Sequence, residues 1–182
     1  MNIEEKLSKI KGTDAVVGVY TDPLNTDKFS AGFLSDFNSE YILIESLTPL
    51  GKYDGYLLRN MSSVYRIDTE GTYETQLGFL AKHNKILHTK VSADSSGGIR
   101  DDFFKFAWTN SKIISIELHD SGYSDIIGYI AEYDKKNCYI KRINHTGGFD
   151  GYSFIYLDDI TKISCDGEEE RKLDILYKKD NI

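Results

Sequence analysis

Four histidines, two cysteines and several aromatic residues beside polar ones are the side chains of this 182-residue chain that could act on a substrate or grip a ligand. His119 precedes Asp120, a pairing that can serve as a general base with its orienting carboxylate, although the same dipeptide is ordinary turn chemistry. His83 and His88 stand five apart, which does not stack them on one helical face, and His145 stands alone. No cysteine or carboxylate cluster completes a metal shell around them, so no metal site is expected. Cys138 and Cys165 fall in strand-like segments and read as reduced, buried and structural. Cys165 could act as a nucleophile only with a histidine brought to it by folding. There is no nucleophile elbow and no phosphate-binding loop: Gly97-Gly98 lacks both a following lysine and a preceding strand. The expectation is a chain without catalytic residues or cofactor.

Binding is better represented. Asp54-Gly55-Tyr56 and Asp150-Gly151-Tyr152 place an aspartate and a tyrosine twice on what read as tight hairpin turns. Phe37-Asn38 and Tyr133-Asp134 pair an aromatic ring with a polar neighbour, and Arg59-Asn60 adds a cation and an amide. These ten residues other than the glycines (Phe37, Asn38, Asp54, Tyr56, Arg59, Asn60, Tyr133, Asp134, Asp150 and Tyr152) form the candidate surface. Bases of single-stranded RNA could stack on Phe37, Tyr41, Tyr133 or Tyr139, each contact contributing about 1–3 kcal/mol. Against RNA stands the net charge of −7, which repels phosphate; it also disfavours DNA and an anionic membrane surface. The run Asp166–Glu170 (DGEEE) reads as a solvated turn, or else as a knob for a basic partner. The acidic, tyrosine-rich composition also suits an immunity or antitoxin protein that masks a basic effector, by compositional analogy alone.

The opening MNIEEKLSKI has no apolar run of signal-peptide length, and no stretch approaches the roughly 18–20 apolar residues that span a bilayer. A cytoplasmic, soluble protein is the expectation. Hydrophobic residues at 40%, with 13 Tyr and 9 Phe, suffice for a globular core.

The elements that must position these side chains come twice, at a fixed spacing of 96 residues. Gly32, Phe33, Leu34, Phe37 and Asn38 recur as Gly128, Tyr129, Ile130, Tyr133 and Asp134. Gly51 recurs as Gly147 and Tyr53-Asp54-Gly55-Tyr56 as Phe149-Asp150-Gly151-Tyr152, and Val64, Ile67, Gly71, Leu77 and Leu80 meet Ile160, Ile163, Gly167, Leu173 and Leu176. A register that keeps glycine on glycine points to a duplication. Each copy opens on an amphipathic helix: Ile3, Leu7 and Ile10 share a face in the first, and Phe103, Phe104, Phe106, Ala107 and Trp108 line the second, where Trp108 reads as a core anchor. Strands follow at 15–20, 29–37, 40–47, 56–67 and 76–81, and at 113–118, 126–133, 138–143, 152–164 and 172–178. The expected division is a first unit over residues 1–91, a Ser/Gly linker over 92–98 (SADSSGG), and a second unit over 99–182, with 84–91 ambiguous.

GFLSDFNSEYILIE at Gly32–Glu45 and GYIAEYDKKNCYI at Gly128–Ile140 resemble the first motif of the Sm-like family: glycine, any residue, leucine, then an aromatic-aspartate pair three residues on. NMSSVYRI and YLDDITKI echo the second motif more weakly. The resemblance implies a mainly β fold of two tandem, five-stranded, bent-sheet barrels (Sm-like, SH3-like), each preceded by a short helix. It does not carry over the family's RNA site. Where that site has an asparagine this chain has Ile42 and Cys138, and the arginine-glycine pair is replaced by Asn60-Met61 and Tyr156-Leu157, with Arg59 one place off. Because such barrels associate through strand edges, the partner it implies is protein: a second molecule, or further copies of this chain as a homo-oligomer. RNA is the alternative.

Overall fold

The computed structural model describes residues 3–86 and 98–180. The chain divides into two compact units, Met1–Ile99 and Arg100–Ile182. Of the expected linker over 92–98 only Gly98 lies within the described residues, and of 84–91 only the part up to Ile86.

In the first unit, helix α1 (Ile3–Ile10) leads into strands β1 (Val16–Tyr20), β2 (Ser30–Phe37), β3 (Tyr41–Leu47) and β4 (Tyr53–Asn60). A 3₁₀ turn at Met61–Ser63, strand β5 (Arg66–Thr69) and helix α2 (Thr72–His83) complete it. The strands form an antiparallel sheet in the order β5-β1-β2-β3-β4, so that the fifth strand returns beside the first. Alternation along the strands splits the core into two layers. Val17, Val19, Leu34, Ile42, Ile44 and Leu57 gather with Leu7 of α1. Val16, Ala31, Phe33 and Leu47 gather with Leu77 and Ala81 of α2. The bent sheet is thus held between one helix on each face.

The second unit repeats the plan: α3 (Ile99–Thr109), β6 (Ile113–Leu118), β7 (Ile126–Tyr133), β8 (Asn137–Ile143), β9 (Phe149–Tyr156), a 3₁₀ turn (Leu157–Asp159), β10 (Ile160–Cys165) and α4 (Glu168–Asp180). Its sheet runs β10-β6-β7-β8-β9. The limits of the second, third and fourth strands and of the 3₁₀ turn sit 96 residues after their counterparts. The irregularities recur too. One extra residue bulges in the second strand, Ser35 in β2 and Ala131 in β7, where the register shifts.

Gly32 and Gly128 account for the bend. A Cβ on Gly32 would lie 2.0 Å from the carbonyl oxygen of Glu45, and one on Gly128 would lie 2.1 Å from that of Lys141. The third strand therefore crosses so close to the second that only glycine fits.

Three expectations are corrected. The segments 76–81 and 172–178 are not final strands but lie inside helices α2 and α4. Glu74, Leu77 and Ala81, spaced three and four apart, are the buried stripe of α2, while Glu168–Glu170 at the start and Lys178-Lys179 at the end of α4 match the helix dipole. The long fourth strand is two strands, broken by the 3₁₀ turn, and its second part supplies the fifth. Asp54-Gly55 and Asp150-Gly151 are not hairpin turns. They lie within β4 and β9 as bulges opposite Ser46 and Arg142, with Gly55 at φ +78° and Gly151 at φ +83°. The hairpin itself turns over Thr48–Lys52, where the amide of Gly51 donates to the carbonyl of Thr48 at 2.8 Å.

The run at Asp166–Glu170 is likewise no free acidic turn. The Glu170 carboxylate is buried, accepts from Ser115 Oγ at 2.5 Å and Ser164 Oγ at 3.1 Å, and caps α4 by accepting from the amide of Gly167 at 3.0 Å. Glu74, its equivalent, is also buried at the start of α2. Asp166 pairs with Lys112 at 2.8 Å.

Gly128→Ala is expected to cost about 3 kcal/mol, because the added methyl meets backbone that cannot yield. Gly78→Ala, whose Cβ would meet only a Val16 methyl at 3.6 Å inside α2, is expected to be neutral or to stabilise by up to about 1 kcal/mol. Urea unfolding of the two variants checks both.

Candidate functional site

Most of the candidate surface residues turn out to hold the fold. Phe37 packs against the α1-side core. Tyr133 lies against Phe104, 5.5 Å between ring centroids, and meets Trp108 edge-on at 5.7 Å. Asn38 Oδ1 accepts from the amides of Glu40 (2.8 Å) and Tyr41 (2.7 Å), closing the turn between β2 and β3. Asp134 does the same between β7 and β8, accepting from the amides of Lys136 (2.7 Å) and Asn137 (2.8 Å). The Lys136 amide, with the Asn137 side chain behind it, holds the Asp134 carboxyl below the usual carboxylate range. Asp54 and Asp150 sit in the bulges, and Arg142 donates to the Asp150 carbonyl at 2.6 Å. Tyr56 is buried, edge-on to Tyr53 at 5.8 Å. Arg59 is half-buried opposite Ile42, and Asn60 faces Tyr41 and accepts from Ser63 Oγ through its carbonyl. Tyr152 alone of the ten is an exposed aromatic ring on a strand.

Around Tyr152 stands a surface that sequence reasoning saw only in part. Strand β9 turns Ile155 inward and Tyr152, Phe154 and Tyr156 outward, by simple alternation. The bulge adds a fourth ring. Because it inserts one residue, Phe149 opposes Ile143 while Tyr152 opposes Lys141, so Phe149 shares the outward face that Asp150 would have taken. Phe149, Tyr152, Phe154 and Tyr156 are 54%, 50%, 63% and 62% exposed. On the neighbouring strand Tyr139 stacks on Tyr152 with centroids 5.0 Å apart and planes 7° apart. Phe149 meets Tyr152 edge-on at 5.3 Å, and Phe154 meets Tyr156 at 6.3 Å.

The first unit carries Leu43, Tyr53, Tyr56, Leu58 and Asn60 at the matching positions. The five-ring row belongs to the second unit. The signal for it was present as alternating aromatics at 152, 154 and 156. The ring at 149 depends on the bulge, which the Asp-Gly pair does not announce.

The expected pairing of His119 with Asp120 is not made. His119 is exposed, and its Nε2 stands 3.9 Å from the carboxylate of Asp159 rather than being oriented by Asp120. Among the described residues no group of three or more His, Cys, Asp or Glu could hold a metal ion, and no helix is long and apolar enough to cross a membrane. Ile42 and Cys138 are buried in the core. Trp108 departs from its expected role as core anchor: α3 buries Phe103, Phe104 and Ala107 instead, and leaves the indole 51% exposed.

No family model, curated protein or solved structure matches the chain.

Both cysteines are free and buried. Burial pushes the Cys138 thiol up to about 12 and the Cys165 thiol higher still, the latter helped by Asp166 and Glu170. Both thiols are therefore expected to resist Ellman's reagent at pH 8 in the native protein and to react promptly in urea. The linkage has a sign. Thiols in the unfolded chain lose their protons above about pH 8.5 while the native ones keep them, so stability falls as pH rises past that value. Urea midpoints between neutral and alkaline pH check it, with a Cys138→Ala, Cys165→Ala variant to isolate the thiol contribution.

Proposed function

We propose that the chain is a non-catalytic assembly protein built from two copies of an Sm-like barrel, and that it works by self-association through strand edges. The observation that carries this reading is β9. Among the described residues it pairs with β8 alone, and its outward row of aromatic rings is uncovered. Soluble proteins usually guard such an edge with lysine, proline or a covering loop. Phe149–Tyr156 has neither lysine nor proline, only Asp150 at the bulge. Its last four residues, Ser153–Tyr156, form a regular stretch able to accept another strand.

In the first unit, among the described residues, β5 pairs with β1 alone. Its Arg66 and Asp68 hold each other in an ion pair on the strand, which draws the Asp68 carboxyl down. A β9 edge from one molecule meeting a β5 edge from another is a heterologous contact, which propagates to a ring or a filament according to its rotation. The shared strand order, the glycine at the bend and the Sm-like first motif support the barrel reading; the edges support the assembly reading.

A second reading, single-stranded RNA binding, draws on the Tyr139-Tyr152 stack and its exposed neighbours rather than on Phe37 and Tyr133. Stacking needs open ring faces, which this row has, but phosphate contacts need a basic field, which a net charge of −7 opposes.

Light scattering coupled to size exclusion, over a wide concentration range, is expected to show a defined oligomer. Phe154→Lys, which puts a charge in the middle of the edge, is expected to reduce it to monomer without lowering the thermal midpoint by more than a few degrees. A strict monomer at every concentration defeats the reading. Fluorescence anisotropy with short uridine-rich and adenine-rich oligonucleotides at low salt decides the RNA alternative, with Tyr152→Ala as the variant that should abolish any signal.

A further inference from the structure

The second unit contains a cavity of about 370 Å³ between the end of α3, the outer face of β7 and β8, and the end of α4. Its charged lining is basic: Lys112, Lys141 and Lys178, with no carboxylate among the described residues that line it. Its remaining walls are largely aromatic, with Trp108, Tyr129 and Tyr177. The volume is at the lower end of the range for small-molecule sites.

The three ammonium groups are not equivalent. Lys112 is matched by Asp166 at 2.8 Å and Lys178 by Asp174 at 2.6 Å. The other oxygen of the Asp174 carboxylate accepts from the Tyr129 hydroxyl at 2.6 Å, so that acid is occupied twice. Lys141 has no carboxylate partner among the described residues. Its ammonium donates to the Tyr177 hydroxyl at 2.5 Å and otherwise faces ring surfaces, 5.0 Å from the centroid of Tyr177 and 5.7 Å from that of Phe149. A half-buried cation whose only partners are a phenol and two rings is held in place and left one negative charge short.

The first unit sharpens the inference. Its groove between β1, β2 and α2, lined by Asp14, Glu70, Glu74 and Lys82, has its counterpart in the cleft at Lys112, Asp166, Glu170, Arg171 and Asp174 rather than in the Lys141 cavity. By strand register Glu45 is the counterpart of Lys141, and Ala15 that of Lys112, because Val16 faces Phe33 as Ile113 faces Tyr129. Between two units of the same fold, the position that carries the unmatched cation in the second holds a buried glutamate in the first.

We propose that the cavity at Lys141 binds a small aromatic anion: a planar ring carrying a single carboxylate or phosphate. The anionic group takes the open coordination of the Lys141 ammonium, and the ring lies against the Trp108 indole and the tyrosine walls. The exposure of Trp108, otherwise costly for the largest apolar side chain of the chain, follows from this use.

Isothermal titration of the whole chain with phenyl phosphate and with benzoate tests the proposal. Benzamide serves as the neutral ring and inorganic phosphate as the anion without a ring. At least one ring anion is expected to bind ten times more tightly than either control, and comparing the two tells a phosphate site from a carboxylate site. Trp108 is the only tryptophan of the chain, so its emission should shift on binding. Lys141→Met should weaken binding at least tenfold, whereas Lys82→Met in the first unit's groove should leave it unchanged. The proposal is overturned if neither ring anion outbinds benzamide, if inorganic phosphate binds as well as phenyl phosphate, or if a folded Lys141→Met protein binds like the wild type. Should Lys141→Met not fold, Trp108→Leu takes its place, and unchanged affinity there overturns the proposal equally.

Discussion

The absence of a side chain at Gly32 and Gly128 is the constraint from which the rest of each unit follows. With a would-be Cβ only 2.0–2.1 Å from a carbonyl oxygen of the third strand, the second and third strands cross at a distance no other residue tolerates. That crossing bends the sheet, and a bent sheet has a concave and a convex face that need different covers. A short N-terminal helix fills one and a longer C-terminal helix the other, as the two core layers of the first unit show through Leu7 and through Leu77 with Ala81. The bulges at Ser35 and Ala131 lie just beyond these glycines and let the second strand change direction without losing its inward residues. The oxygen that Gly128 faces belongs to Lys141, so the backbone that carries the unmatched ammonium is pinned by the same contact.

What could be read from the chain was what the backbone demands. Glycine recurring on glycine, alternating strands and a leading amphipathic helix have local physical causes, and they stand where periodicity put them. The helices at Thr72–His83 and Glu168–Asp180 were misread because Leu77 with Leu80, and Leu173 with Leu176, are too few apolar residues to separate a period of 3.6 from a short strand. The stronger signals were polar: acids in the first turn of α4, lysines in its last, and Glu74 and Glu170 three places after a glycine. Asp-Gly was misread for a different reason. A primed turn and a glycine bulge ask for the same positive φ, and nothing local says which will form. The choice was made by Thr48–Lys52, whose own hydrogen bonds close the hairpin two residues earlier.

The candidate surface was less legible than the fold, and the reason is similar. Asn38 and Asp134 attract attention as polar residues beside aromatic ones, but short side chains there pair with backbone amides of their own turn, which is the cheaper way to satisfy them. Exposure is the property that distinguishes a docking ring from a core ring, and it is set by neighbours remote in sequence. Trp108 and Phe104 stand four apart on one helix, yet one is half exposed and the other almost wholly buried.

The differences between the units are more informative about activity than their likeness. Positions kept in both, such as the glycine of the bend or the buried glutamate that starts the last helix, are those the fold cannot do without. Positions that changed were free to change as far as the fold is concerned, so any pattern among them needs another cause. Two patterns are present in the second unit. Where the first unit has Leu43, Leu58 and Asn60 the second has Tyr139, Phe154 and Tyr156, which complete an exposed aromatic row, and where the first has the buried Glu45 the second has Lys141. Exposed rings and an uncompensated cation both cost stability in water, by unsatisfied hydration in one case and unmatched charge in the other. Their concentration in β8, β9 and the cavity beside them is the reason that both the assembly edge and the anion site are proposed for the second unit.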